Sequence, residues 1–407
     1  MTRDCQLCIV GGGPAGLFAG LLFARAGVET LVIEKHNDFL RDFRGDTVHP
    51  STLELFDQLG LLESLLALPH DRVETIGGRI MGEMLTIADF RHLKVPAPYI
   101  ALMPQWDLLA FIAAEASHYP NFTLRMNCEA TGVTTAPTGR VTGVKIARGK
   151  DISADLVIAA DGRGSVIRTA AALPLETIGA PMDVFWFRVA KHPADANATF
   201  GVFENGRIGV FIDRGDYWQV AFVFAKGGAQ ALRSRGLDSF KATVTDMAPG
   251  LAHGIAALAH WDEVKLLRVS LDRLTRWHRH GLLVIGDAAH AMSPIGGVGI
   301  NLAIQDAVAA ANVLAGPMAA GASFDALLQE VQGRRWKPTV RMQALQKAAQ
   351  DRLISPLLSG TSTRQRPPWQ LRLLQYLPIL QRIPARIMGL GFGRERIESP
   401  DAGQRRA

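Results

Sequence analysis

Short apolar runs and stretches of helical period follow one another along this chain, and their order predicts its architecture. Leu7-Cys8-Ile9-Val10 is an unbroken apolar run ahead of three glycines, the pattern of a strand buried on both faces of a parallel sheet. Pro14 and Ala15 then open a helix that runs to Arg25 and stops near Gly27, a suitable C-cap. A second apolar strand, Thr30 to Ile33, ends at Glu34. Similar runs at 154–160 and 281–285 end in Asp161-Gly162 and Gly286-Asp287, and residues 302–311 have helical period. Strands alternating with helices predict a parallel sheet with helices on its faces.

Between 181 and 224 the period changes. Segments 184–189 and 218–224 alternate as strands do, and Glu204-Asn205-Gly206 reads as a hairpin turn. Antiparallel strands inside a parallel-sheet chain predict an inserted second domain, joined by residues 72–98. Phe185, Trp186, Phe187, Phe211 and Phe222 are candidates to line a pocket on one strand face while packing the core with the other. Beyond Gly316 the chain turns helical and then proline-rich. Residues 369–391 mix Leu, Ile and Tyr with Arg372, Arg382 and Arg386, a basic amphipathic stretch that leaves membrane contact open, although packing across the domain of the parallel sheet is the favoured expectation.

The opening carries two competing motifs. Cys5-x-x-Cys8 suggests thiol redox chemistry, whereas Gly11-x-Gly13-x-x-Gly16 suggests a cradle for a dinucleotide. Thiol motifs of that kind stand at a helix start, but these cysteines precede the glycines on a strand. Residues three apart on a regular strand point to opposite faces, which would keep the sulfurs apart. The glycines have a mechanical role: Gly11 for the turn, Gly13 for close approach of a pyrophosphate, Gly16 for packing of the helix whose N-terminus faces the phosphates. Glu34 stands where a carboxylate accepts hydrogen bonds from ribose hydroxyls. Asp161 and Asp287 end strands of the same kind, so all three loops are expected to converge on one crevice.

Composition narrows the classes. With 407 residues, 48% hydrophobic and 20% charged, the chain can bury a large core in two domains or in one with an insertion. Three cysteines exclude a disulfide framework and no secretory leader is visible, so the expected location is cytoplasmic. No uninterrupted apolar stretch is long enough to cross a bilayer. The net charge of +6 suits an anionic substrate or cofactor. The basic segment Arg273, Arg276, Trp277, His278, Arg279, His280 reads as a solvated turn, and nucleic acid is not expected. Neither a metal-ligand spacing nor a Ser-His-Asp pattern is present.

Three motifs in order carry a resemblance: Gly11-Gly12-Gly13-Pro14-Ala15-Gly16 with Glu34, Asp161-Gly162 with Ser165 and Arg168, and Gly286-Asp287-Ala288-Ala289-His290 with Pro294, Gly296, Gly297, Gly299 and Asn301. Over residues 1 to about 315 the chain resembles the single-component FAD-dependent aromatic hydroxylases related to para-hydroxybenzoate hydroxylase. The implied fold is α/β: a Rossmann-like FAD-binding domain (1–71, 99–175, 276–316), an inserted antiparallel β-sheet substrate domain (72–98, 176–275) and a helical C-terminal region (317–407). By this resemblance the first loop, Glu34 and Lys35 hold the ADP half of FAD, and Asp287 beside Gly286 binds the ribityl chain. The backbone of 294–301, Ile300 included, faces the flavin pyrimidine ring. Arg44 and Gln105 match FAD contacts, and Asp161 and Arg168 match a motif serving both FAD and the nicotinamide donor.

The implied function is that of a monooxygenase. NADH or NADPH reduces FAD, O2 adds at the flavin C4a carbon, and the hydroperoxide hydroxylates an aromatic or polycyclic small molecule. Pro294 and Gly297 position the reacting ring through their backbone, and His290 is a candidate catalytic group. For His290 and for His49 the structural role is the favoured one. The alternatives are an oxidase or dehydrogenase on the same fold, or a flavin-bearing protein at a membrane surface. Halogenation is disfavoured, because no Gly-Trp-x-Trp-x-Ile signature is present. The expected assembly is a monomer or homodimer.

Overall fold

The computed structural model describes residues 3–40, 47–195, 199–204, 206–360 and 366–403. Its central sheet runs in the order His278–Arg279, Leu282–Val284, Ile152–Ala159, Cys5–Val10, Thr30–Ile33, Phe122–Arg125. The neighbours from Leu282–Val284 to Phe122–Arg125 are all parallel, with Ile9 opposite both Ile158 and Val32. Such strands are apolar throughout because both faces are covered. Leu7 and Ile9 pack under the helices Pro14–Arg25, Gln105–Ser117 and Gly299–Ala319, while Cys8 and Val10 pack with Val144, Ile167 and Trp277 on the other side. Close packing of the first helix requires Gly16, where a Cβ would lie 1.9 Å from the Gly11 carbonyl oxygen.

Three expectations about this half need correction. Cys5 and Cys8 do not lie on opposite faces; both thiols are free and buried in the same apolar layer, where the adjacent Cys5 thiol and burial push the Cys8 thiol well above its usual range. The cause is a bulge: the amides of Gln6 and Leu7 both donate to the Glu29 carbonyl, which shifts the side-chain alternation by one. The helix spanning Ile295–Ala319 is long and apolar enough to cross a bilayer, despite the lack of an uninterrupted apolar run. Its polar residues Asn301, Gln305 and Asp306 are buried and Asn312 is half-buried, and the helix is the core of the nucleotide domain. The Arg273–His280 region is also not a solvated turn, because Trp277 is fully buried and Arg279 donates to the carbonyls of Ala171 and Gly139.

A second, seven-stranded sheet follows the order Lys265–Leu267, Met182–Ala190, Tyr217–Ala225, Arg207–Asp213, Phe200–Glu204, Thr75–Ile80, Glu83–Asp89. All neighbours are antiparallel except Phe200–Glu204 and Thr75–Ile80, where Val202 faces Arg79. The hairpin pairs Glu204 with Arg207, and Asn205 lies outside the described residues. The pleat splits the aromatics. Phe185, Phe187, Phe211 and Phe222 are buried under the helices Leu237–Met247 and Ala252–Ala256, and so do not line a pocket as expected. Trp186 alone of the five points to the other face, in register with Ala221 and Val210 and among Val184, Ile208 and Val223. Ile295 packs against that same face.

The C-terminal helices do not pack across the nucleotide domain alone. Trp369–Tyr376 and Arg382–Leu390 cover the edge strand Glu83–Asp89, where Gln375 Nε2 donates to the Thr86 carbonyl at 2.7 Å. Covering an edge strand removes a row of unpaired backbone groups from solvent.

Candidate cofactor site

The three motif loops meet at the carboxyl ends of the parallel strands. A Cβ on Gly11 would lie 2.9 Å from Asp161 Cα, and one on Gly286 would lie 3.2 Å from Ala15 Cβ. Arg163 Nε donates to Asp287 Oδ2 at 3.0 Å, which ties the second loop to the third. Glu34 stands at the end of its strand with Oε2 accepting from the Gly12 amide at 2.9 Å and Oε1 from the His36 amide. Lys35 beside it is exposed. No side chain caps the helix Pro14–Arg25, so its first-turn N–H groups at Ala15 and Gly16 have no intrahelical acceptor. A Cβ on Gly13 would meet nothing within 4 Å, so the backbone there borders open space.

Asp161 adjoins the Gly11 turn at the crevice, and the buried Arg168 stands behind it. The Asp161 carboxylate accepts from Ser165 Oγ at 2.5 Å and from the Val166 amide, and burial pushes its carboxyl above the usual range against those bonds. Arg168 is buried and donates to the carbonyls of Ala288 and Arg163 at 2.9 and 2.7 Å. Both residues therefore fix the position of neighbouring loops. Gln105 is half-buried at the start of Gln105–Ser117, and Arg44 lies outside the described residues.

The glycine-rich loop 294–299 is held from three sides. Gly297 has φ of +62°, and a Cβ there would come within 2.5 Å of Thr47 Oγ1, so both conformation and space demand glycine. Thr47 Oγ1 donates to the Gly297 carbonyl, while Asn301 Oδ1 accepts from the His49 amide and from Thr52 Oγ1. Gln346 Nε2 donates to the carbonyls of Ser293 and Ile295, both at 2.9 Å. Pro294 precedes the turn Ile295–Gly297, in which Gly296 also has positive φ. Gly299 and Ile300 then open the long helix, which has no side-chain cap. Sequence reasoning missed Thr47, Thr52, Arg163 and Gln346, whose partners lie far away in the chain.

Both histidines near this loop are inside the protein. His290 Nε2 pairs with Asp306 Oδ2 at 2.6 Å, with its ring against Trp277 and almost no exposure. Asp306 also accepts from Arg335 Nε and the Gly286 amide; burial would raise its carboxyl, but His290 and Arg335 hold it below the usual range. That makes His290 part of a buried ion cluster rather than a group presented to a substrate. His49 is likewise buried; its Nδ1 lies 2.7 Å from the Met388 carbonyl, and burial lowers its pKa to about 4.

These residues fit a dinucleotide. They offer uncapped helix N-termini for a pyrophosphate, a carboxylate at the second strand end for a ribose, and open space at Gly13. Arg163 Nη1 is buried with no hydrogen-bond partner among the described residues, a donor that a phosphate oxygen would satisfy. The FAD binding domain family matches residues 4–343. This chain belongs to that family. It is 34% identical over 388 residues to 6-methylpretetramide 4-monooxygenase of Streptomyces rimosus, covering 93% of this chain and 91% of the relative. It is 25% identical over 358 residues to protoasukamycin 4-monooxygenase of Streptomyces nodosus subsp. asukaensis, covering 84% and 87%. The structure of P. aeruginosa PqsL in complex with 2-aminobenzoylacetate shares the fold, with a TM-score of 0.76 at 21% identity, covering 88% of this chain and 100% of the other. The chain is thus a flavoprotein of the monooxygenase class, with FAD as its cofactor.

Proposed function

We propose that this enzyme uses NADH or NADPH and O2 to hydroxylate an aromatic or polycyclic small molecule, with FAD seated along the crevice from Glu34 to the 294–301 loop. Bound FAD would supply the oxygen chemistry, through a C4a-hydroperoxide. Glu34 would accept hydrogen bonds from the adenosine ribose, the helix end at Ala15 and Gly16 would face the pyrophosphate, and Asp287 would accept from the ribityl hydroxyls. The uncapped amides of Gly299, Ile300 and Asn301 would donate to the electron-rich edge of the flavin. The 34% identical relative, named as a 4-monooxygenase of 6-methylpretetramide, supports transfer of oxygen to an organic small molecule.

The observation that carries this reading is the contact between loop and sheet. Ile295, inside the glycine-rich loop, joins Ile354 and Leu357 in the apolar cluster on the face that bears Val184, Trp186, Ile208 and Ala221. A flat apolar ring placed there would be shielded from water beside the reacting ring of the cofactor, which favours transfer of oxygen over its loss as hydrogen peroxide. Trp186 Nε1 is buried without a partner among the described residues, so it is a donor for a substrate carbonyl or phenol oxygen. The test is a screen of phenols and fused-ring aromatics for ligand-stimulated NAD(P)H oxidation. Stimulation by one of these classes with a hydroxylated product supports the reading, and stimulation with a dehydrogenated product replaces it with the oxidase or dehydrogenase alternative.

A further inference from the structure

The C-terminal helical hairpin presents an apolar tip that none of the described residues covers. Trp369, Tyr376, Ile379 and Ile383 are 70%, 72%, 63% and 58% exposed, and Leu377 is half exposed between them. Trp369 and Tyr376 are seven residues apart on one helix, so they share a face; Ile379 and Ile383 are four apart across the turn into the next helix. Met84, 71% exposed, lies on the edge strand beneath this hairpin. The opposite side of the hairpin is anchored, through Gln375 to Thr86, Arg372 to Glu83, and Gly389 against Phe90. The exposed side chains therefore stand on a seated scaffold.

The hairpin's own charges have one sign, and Glu83 beneath it is paired with Arg372. Residues 366–394 include five arginines and no aspartate or glutamate. Arg366, Arg382 and Arg386 are exposed, and none of them makes an ion pair among the described residues. Arg382 and Arg386 flank Ile383 on the outer face of the helix Arg382–Leu390, whose inner face is Ala385 and Gly389. Aromatic and branched apolar side chains fringed by arginine suit the boundary between lipid headgroups and acyl chains. A two-fold contact with a second copy would set this all-basic segment against itself, which like-charge repulsion opposes.

We propose that this hairpin docks the enzyme on an anionic lipid surface. Trp369, Tyr376, Ile379 and Ile383 enter the interfacial layer, and Arg366, Arg382 and Arg386 meet the headgroups. The same helix supplies the Met388 carbonyl that holds His49 beside the glycine-rich loop, so docking brings the lipid surface next to the wall of the active site.

Co-sedimentation of the FAD-loaded protein with vesicles tests this directly. Expected is binding to phosphatidylglycerol–phosphatidylcholine vesicles that falls as salt is raised, with weak binding to phosphatidylcholine alone. Replacing Arg366, Arg382 or Arg386 by Gln should each weaken binding by roughly fivefold. The combined variant Tyr376→Ser, Ile379→Ser, Ile383→Ser should abolish binding while retaining FAD and basal NAD(P)H oxidation. No binding of the wild type to either vesicle overturns the proposal. So does binding that the triple variant retains, or a wild-type dimer, without lipid affinity, that the triple variant makes monomeric.

Discussion

At the scale of single residues, a few side chains have their chemistry fixed by their surroundings. Glu34 already accepts two backbone amides, so its carboxylate is held in place for the ribose. Glu34→Ala should weaken FAD affinity by about 1.5–3 kcal/mol, the scale for losing a hydrogen bond to a charged group, and a titration of apoprotein with FAD measures it. Gly297→Ala should act differently. The added methyl meets Thr47 in a backbone conformation that alanine resists, which displaces the loop beside the reacting ring rather than the ADP half. We expect this variant to stay yellow but to release more hydrogen peroxide per NAD(P)H oxidised, since errors of about an ångström can cost roughly 100-fold in rate. His49 sets a pH dependence. Its folded pKa of about 4 lies below the ordinary 6.5, so between these values the unfolded chain binds the extra proton and stability falls as the solution is acidified. Denaturation curves should give the wild type about 3 kcal/mol more loss from pH 7 to pH 4 than His49→Asn.

At the scale of elements, the same clamps that hold the loop were the part hardest to see in the sequence. The parallel strands, the three motif loops and the long apolar helix were legible because each is local: an apolar run, a glycine spacing, a helical period. The bulge at Gln6–Leu7 was not, because it depends on the Glu29 carbonyl in a neighbouring segment, and without it the alternation rule placed Cys5 on the wrong face. Alternation puts Trp186 on the opposite face from Phe185 and Phe187, but the sequence offered all five aromatics as pocket candidates, because nothing local says which face the helices Leu237–Met247 and Ala252–Ala256 will cover. The buried cluster of His290, Asp306 and Arg335 joins the third motif loop to two helices and was equally silent in the sequence. Asp306→Ala would remove the carboxylate that accepts from Arg335 Nε and leave this buried guanidinium only the more distant Glu395, 3.8 Å away. A loss of about 3–5 kcal/mol in unfolding free energy is expected, read by chemical denaturation of the holoprotein.

On the scale of the whole molecule, two sheets share one seam. The parallel sheet ends in loops suited to a dinucleotide, the seven-stranded sheet offers an apolar face, and Ile295 is the point where the glycine-rich loop touches that face. The family match fixes FAD as the cofactor, and the seam supports the proposal that the substrate is an apolar aromatic. The most direct test of that account is turnover under isotopically labelled O2, with NAD(P)H and an aromatic ligand that stimulates its oxidation. One labelled oxygen atom is expected in the product. A product formed from that ligand at the full rate without the label would contradict it.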